Sequence, residues 1–388
     1  MAWRIEKTSV FSITLSAISI YIGFSAWRVM FNNYAVDVFA ADATQVGIIQ
    51  AVREIPGLLA FGVGVIAVFV AESRIAALSI VMAGTGLIVA GLAQSLWILG
   101  LATLIMSLGF HYFMPTNSSQ LLLLSKSEEL GRAQGKLSSF QSLASLFGAG
   151  LVLILTLFID YRQTFFLIGG AVVLAGLYLA IALPSNRCDT ESRKVRLKKR
   201  YWLYYTLSFL RGCRRHIFTT FAIFLLVKHY GLSITAVSTL MLVTFATNIF
   251  AYRALGNLSD RIGERSILVG SSAILVLIFV GYAWVKYLPV LIGFYLIDNV
   301  LFGSSIALKS YVRKIAPSAD VTSCLSFGMT ANHVTAVIIP VAGGVLWNLV
   351  GYEATFIAGA AIVLVDMLFA LAIPSQPGSP ATTLSESD

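Results

Sequence analysis

Twelve stretches of roughly twenty apolar residues, parted by short polar segments, follow one another along the chain. A helix of about that length just crosses the ~30 Å hydrocarbon layer of a bilayer. So many cannot all be hidden in one water-soluble core. Of the 388 residues, 58% are hydrophobic and 12% charged, about half the charged share of an ordinary soluble domain. Lipid must therefore solvate what the protein cannot bury. The runs are continuous rather than alternating, which fits helices and not barrel strands. The expected fold class is an all-α, multi-pass membrane protein.

The spans are expected near 9–36, 46–70, 75–94, 97–121, 133–158, 164–183, 202–228, 234–254, 266–286, 288–311, 321–346 and 354–373. Arg4 and Lys7 precede an apolar stretch with no small-residue cleavage site, so the first span is expected to be retained. An even number of spans puts both ends of the chain on one side. With a cytoplasmic start, 19 of the 27 Lys and Arg fall in cytoplasmic segments and span ends, 3 outside (Arg162, Lys228, Lys286) and 5 inside spans. That asymmetry predicts cytoplasmic termini by the positive-inside rule, in a plasma membrane, prokaryotic inner membrane by expectation. The segment after the sixth span holds Arg187, Arg193, Lys194, Arg196, Lys198, Lys199 and Arg200. A basic run of this kind next to a span reads as a topogenic, lipid-facing linker rather than a nucleic-acid site.

The expected organisation is an N-terminal bundle over 1–183, a basic linker over 184–201, a C-terminal bundle over 202–373 and a disordered tail over 374–388. Cys188, Cys213 and Cys324 have no disulfide or metal-ligand spacing. No nucleotide loop, nucleophile elbow or metal-protease histidine pair occurs. An enzyme is not expected, nor a cofactor, and the chain is expected to be monomeric.

The two halves resemble each other. Arg28-Val-Met-Phe31-Asn32-Asn33-Tyr34-Ala35 aligns with Arg215-His-Ile-Phe218-Thr219-Thr220-Phe221-Ala222 at an offset of 187, and Tyr161-Arg-Gln-Thr164-Phe165 with Tyr352-Glu-Ala-Thr355-Phe356 at 191. Between them, Gln134, Ser138, Gln141 and Ser145 share one helical face, and an offset of 188 carries that template onto Thr322, Ser326, Met329 and His333. Three matches at nearly constant offset predict a duplicated six-helix unit, repeated in parallel about the membrane normal.

Over its whole length the chain resembles the major facilitator superfamily. Gly256-Asn-Leu258-Ser-Asp260-Arg261-Ile-Gly263-Glu-Arg265 is similar to that superfamily's G-x-L-x-D-R-x-G-x-R loop. The resemblance implies a cytoplasmic gate at Gly256, Asp260, Arg261, Gly263 and Arg265. The equivalent loop after the second span, Phe69 to Arg74, lacks the Asp and both glycines. Pro340-Val-Ala-Gly343-Gly344 is similar to an element that proton-coupled drug antiporters carry in span five; here it lies in span eleven. The subfamily is therefore not assigned. The resemblance implies a secondary transporter whose spans one, four, seven and ten line a central cavity.

Polar residues concentrate on those spans. The expected substrate cavity comprises Arg28, Asn32, Arg53, Glu54, His111, Asn117, Arg211, Arg214, Arg215, Thr219, Asn299, Ser305 and Lys309. Helical spacing gathers several into stripes: Arg28 with Asn32, Arg211 with Arg215 and Thr219, Asp298 with Ser305 and Lys309. In span two, Pro56 removes a backbone donor and is expected to loosen the helix.

Formal charge expected to be buried comes to six positive (Arg28, Arg53, Arg211, Arg214, Arg215, Lys309) against two negative (Glu54, Asp298), a surplus of four. Uncompensated charge in a low dielectric is costly. An anionic small-molecule substrate is the expected compensation, because a guanidinium matches an oxyanion with forked, permanent donors. The structural alternatives are an ion pair among Arg28, Arg53 and Glu54, and snorkelling of Arg211 and Lys309 into water.

The expected driving force is an ion or substrate gradient, a proton or another ion; for proton coupling the candidates are Glu54, Asp298, His111, His216 and His333, since imidazole titrates near neutral pH. The weaker alternatives are a multidrug or metabolite efflux antiporter, a metal-ion exporter and a non-transporting sensor.

Overall fold

The computed structural model describes residues 2–60, 62–124, 130–182 and 198–374. Most of the expected linker, from 184 to 197, and the tail from 375 on lie outside the described residues.

Fourteen α-helices account for most of the described chain: α1 (Ala2–Phe39), α2 (Ala43–Leu58), α3 (Gly62–Phe69), α4 (Glu72–Gly91), α5 (Leu96–Leu124), α6 (Leu130–Leu155), α7 (Tyr161–Ala182), α8 (Trp202–Lys228), α9 (Ile234–Ile262), α10 (Glu264–Trp284), α11 (Leu288–Leu301), α12 (Ser305–Ile315), α13 (Ser318–Val350) and α14 (Tyr352–Leu371). Among the described residues, ten segments are long and apolar enough to cross a membrane. Two of the twelve expected spans are not among them, for different reasons. The second divides into α2 and α3 a few residues beyond Pro56, where the ring removes a donor from the helical ladder. The seventh is one helix, α8, but Arg211, Arg214 and Arg215 crowd its middle.

Contacts divide the chain into two compact units. The first comprises 1–192 and 226–245, the second 193–225 and 246–388.

In the first unit, α4 packs against α5 and α7. At its crossing with α7, Gly84 meets Gly169: a Cβ on Gly84 would stand 2.7 Å from the Gly169 carbonyl oxygen. Lipid tails are as apolar as leucine, so small residues that let backbones approach supply the packing between such helices. The start of α2 is fixed by a capping box, in which Asp42 accepts from the Gln45 backbone and Gln45 from that of Asp42.

In the second unit, Tyr204, Leu207, Leu268, Ala307, Val312, Cys324 and Ala370 pack together from α8, α10, α12, α13 and α14. A second cluster is aromatic: the Phe218 ring stacks on Tyr295 at 5.7 Å and meets Tyr282 at 5.3 Å. A short 3-10 turn, Phe302–Ser304, separates α11 from α12. The site described next is built around it.

Candidate functional site

Arg211, Arg214 and Arg215 stand at i, i+3 and i+4 on α8, a spacing that keeps all three on one face. They reach a cavity of about 470 Å³ within the second unit, together with Lys309 and Ser305 of α12 and His333 of α13. Tyr204 and Ser208 of α8, Phe302 and Ser304 of the 3-10 turn, and Asn332 of α13 also line it. The sequence reading did not single these five out. Tyr204 and Ser208 could have been found as helical continuations of the arginine face.

Each arginine is held differently. Arg214, 4% exposed, donates through Nη1 to Asp298 Oδ1 at 2.7 Å, and Asp298 is 5% exposed. Arg215 stacks over the Phe302 ring, 4.1 Å from its centroid. Arg211 donates to Asp366 Oδ2 at 3.1 Å, to Ser304 Oγ at 3.2 Å, and to the Leu268 carbonyl and Ser272 Oγ, both at 3.3 Å. All three thus engage α11 or the turn that follows it, or bridge from that turn to α14.

Asp366 revises the expected charge inventory. It lies in α14, is 3% exposed, and adds a third acid to the two expected, while Lys309 is exposed, so that five cations face three acids and the surplus falls from four to two. The snorkelling alternative for Arg211 is also replaced, because its side chain, 10% exposed, pairs with Asp366. The acid escaped notice in a span far from the expected cavity helices; it stands as a lone carboxylate inside an apolar stretch, which was a readable signal.

Other expected cavity residues are placed elsewhere. Thr219 bonds back to the Arg215 carbonyl at 2.9 Å and is exposed. Asn299 donates to the Tyr295 carbonyl of its own helix at 2.9 Å. His216 is buried, and neither it nor Asp298 is among the cavity-lining residues.

The first unit carries a separate polar cluster. Arg53 and Glu54 form an ion pair between chain neighbours. The Arg53 Nε donates to Gln50 Oε1 at 2.9 Å, and its guanidinium lies 5.5 Å from the Trp27 ring. His111 of α5 approaches Glu54 at 3.8 Å and meets Ser107 Oγ through Nδ1 at 2.9 Å. Ser107 in turn donates to the Arg53 carbonyl. Arg28 does not join the pair; its guanidinium stands 5.6 Å from the Phe245 ring. Asn32 and Asn117 are buried, each with an Oδ1 that has no hydrogen-bond donor among the described residues.

Of the expected gate, Gly256 is described only as part of the α9 backbone, and the side chain of Asp260 lies outside the described residues. Arg261 is exposed and Arg265 half-buried. Gly263 has φ +83°, in the left-handed region open to glycine at little cost. Its neighbour Glu264, which the sequence reading passed over, is buried and accepts from Lys314 at 2.6 Å and Ser310 at 2.8 Å. This ties the start of α10 to α12. At the start of α13, Asp320 accepts from Lys198 at 2.9 Å, Arg200 at 2.7 Å and the Tyr201 hydroxyl at 2.8 Å.

The family model described as the Major Facilitator Superfamily matches residues 13–308 and 207–388. Among curated proteins, a probable sugar efflux transporter of Helicobacter pylori strain G27 is 26% identical over 256 residues, 62% of this chain. The counterpart from strain HPAG1 is equally similar. The chain spans 63% of the length of these relatives. Among solved structures, a bacterial homologue of the human lysosomal transporter Spinster aligns at a TM-score of 0.77 and 14% identity, over 95% of this chain and 96% of that one. The nucleoside transporter NupG aligns at 0.77 and 12% identity, over 94% and 98%. At these identities the likeness is one of fold. The chain is a multi-pass membrane protein, and it belongs to the Major Facilitator Superfamily.

Proposed function

We propose that the chain is a secondary transporter for a small, hydroxylated organic anion, bound in the cavity of the second unit. One observation carries this reading: four cations, Arg211, Arg214, Arg215 and Lys309, line one cavity that has no carboxylate among its described lining residues. An anion complements such a lining, because guanidinium and ammonium groups donate to an oxyanion. The hydroxyls of Tyr204, Ser208 and Ser305 and the amide of Asn332 suit hydroxyl groups on the same solute.

Transport follows by alternating access of two bundles, 1–183 and 202–373, joined by the linker 184–201. The chain functions as a monomer with cytoplasmic termini in a prokaryotic inner membrane, in keeping with its Lys and Arg asymmetry. The driving force is a proton gradient, for which Asp298, Glu54, His111, His216 and His333 are intramembrane carriers. A neutral sugar is the second reading, favoured by the names of the Helicobacter pylori relatives.

A thermal-shift screen of the purified protein tests the choice. Gluconate and inorganic phosphate represent anions, glucose the neutral sugar and tetraphenylphosphonium the drug-like cation. A bound ligand stabilises by mass action. Stabilisation by gluconate that disappears in Arg215→Gln is expected. Stabilisation by glucose or the cation alone would replace the anion reading.

A further inference from the structure

Among the residues that line the cavity of the second unit, Lys309 of α12 and Met329 of α13 are exposed. The cavity therefore opens between those two helices, and its mouth takes its chemistry from the way α12 is turned. Ala307, Leu308, Tyr311 and Val312 are buried in the core of the unit. On a second side, the buried Glu264 of α10 accepts from Ser310 at 2.8 Å and from Lys314 at 2.6 Å. Each residue turns an α-helix by about 100°, so Lys309 and Arg313 are left on the remaining side, one turn apart. Both are exposed, and neither has an acid partner among the described residues. The three cations of α12 are thus sorted by face: Lys314 is spent on Glu264, and the other two are not.

We propose that Lys309 and Arg313 form an outer anion subsite at the mouth of the cavity, through which an oxyanion reaches the arginines of α8. Ser305 begins α12 and lines the cavity, so Ser305, Lys309 and Arg313 mark one path from the cavity to the last turn of the helix. A carboxylate or phosphate on this path meets the guanidinium of Arg313, then the ammonium of Lys309, then the guanidinium groups within. Cations along one wall of a cleft raise the local concentration of an anion and speed its association. Sequence position alone made Arg313 one of many basic residues near span ends; the contacts of Glu264 single it out by leaving it on the stripe of Lys309.

The cargo of the subsite rests on the anion reading; its positive potential does not, and can be measured with no solute present. Cysteine labelling of the detergent-purified protein, read at the modified peptide by mass spectrometry, makes that measurement. Ser305→Cys is treated with sulfonatoethyl methanethiosulfonate, an anion, or trimethylammonioethyl methanethiosulfonate, a cation, with a free thiol as reference. The anion should react preferentially in ~0.01 M salt, where the Debye length is ~30 Å, and the preference should vanish at about 1 M, where it is ~3 Å. Arg313 lies little more than two turns beyond position 305, about 12 Å along the axis. At that separation in water, loss of one unit charge changes the ratio of the two rates about threefold. Adding Arg313→Gln should lower the preference by that factor. Lys199→Gln removes an exposed cation at the same end of the unit but off this stripe, and should leave the preference unchanged.

Asn332→Cys, a cavity-lining position on α13, repeats the comparison should Ser305→Cys not fold. A preference that ignores Arg313→Gln, an equal loss in Lys199→Gln, or no labelling by either reagent at either position would overturn the proposal. Gluconate and inorganic phosphate should each slow the anionic reagent. Protection by phosphatidylglycerol and by neither solute would assign the oxyanion to a lipid headgroup and overturn the solute path. Protection by none of the three, with the Arg313→Gln effect intact, would refute the anion reading and leave the positive mouth standing.

Discussion

Arg214 and Asp298 meet at 2.7 Å with both side chains almost wholly buried, one on α8 and the other a turn before the break between α11 and α12. Removing one partner strands the other as a buried charge, which typically costs ~3–5 kcal/mol. Arg214→Gln and Asp298→Asn should therefore each lower the thermal unfolding midpoint of the detergent-purified protein substantially. The double variant should recover much of the loss. Additive losses would mean that the pair does not act as a unit.

Arg215 is held by an aromatic ring, so its charge and its shape can be separated. Arg215→Gln removes a charge-assisted bond worth roughly 1.5–3 kcal/mol, and gluconate affinity should fall about ten- to a hundredfold. Arg215→Lys keeps the charge but not the flat stacking surface over Phe302. It should bind with intermediate affinity, and Phe302→Ala should erase the difference between Arg and Lys at this position. Titration of each variant with gluconate checks the order.

Tyr204 reaches across to the backbone of α13 at Gly328. A Cβ there would press on the Tyr204 hydroxyl and stand 3.0 Å from Cζ and 3.3 Å from Ser208 Oγ. Gly328→Ala should therefore displace Tyr204 into the cavity and weaken gluconate binding. Adding Tyr204→Phe, which removes the clashing oxygen, should restore most of it. A double variant no better than Gly328→Ala would place the damage elsewhere on α13.

Asp320 gives a pH dependence whose sign is fixed. Hydrogen bonds from Lys198 and Tyr201, with the positive charge of Lys198 and a further bond from Arg200, hold its carboxyl below the usual aspartate value. The attachment of residues 198–201 to α13 is then at full strength above the ordinary aspartate value of about 3.9 and is lost as pH falls through the lowered value. Hydrogen exchange of the amides of residues 198–202 should accelerate at strongly acid pH in the parent. In Asp320→Asn it should already be fast at neutral pH and show no such transition.

The parts legible in the sequence were those set by local rules. The number and extent of most spans follow from apolar run length, and the shared face of Arg211, Arg214 and Arg215 follows from helical spacing. The division of the second span was foreshadowed by Pro56. The break at Phe302–Ser304 was not, because its residues form an ordinary apolar and small run with no proline; what marks the place is packing, with Gly303 lying against Tyr252 and Leu255.

Taken alone, the sequence determined that this chain needs a membrane, that its helices come in two similar sets, and that arginines cluster on one face of the seventh span. Run length, repeat offset and charge count are properties of the chain itself. Only tertiary structure decided which acid answers which base: Asp366 meets Arg211 across 155 positions, and Asp298 meets Arg214 across 84. Helix crossings set such pairs, and a crossing depends on small residues and ring contacts contributed by both partners. Periodicity within one helix places a side chain on a face, but the helix opposite that face determines whether its charge is spent on a neighbour or left for a solute.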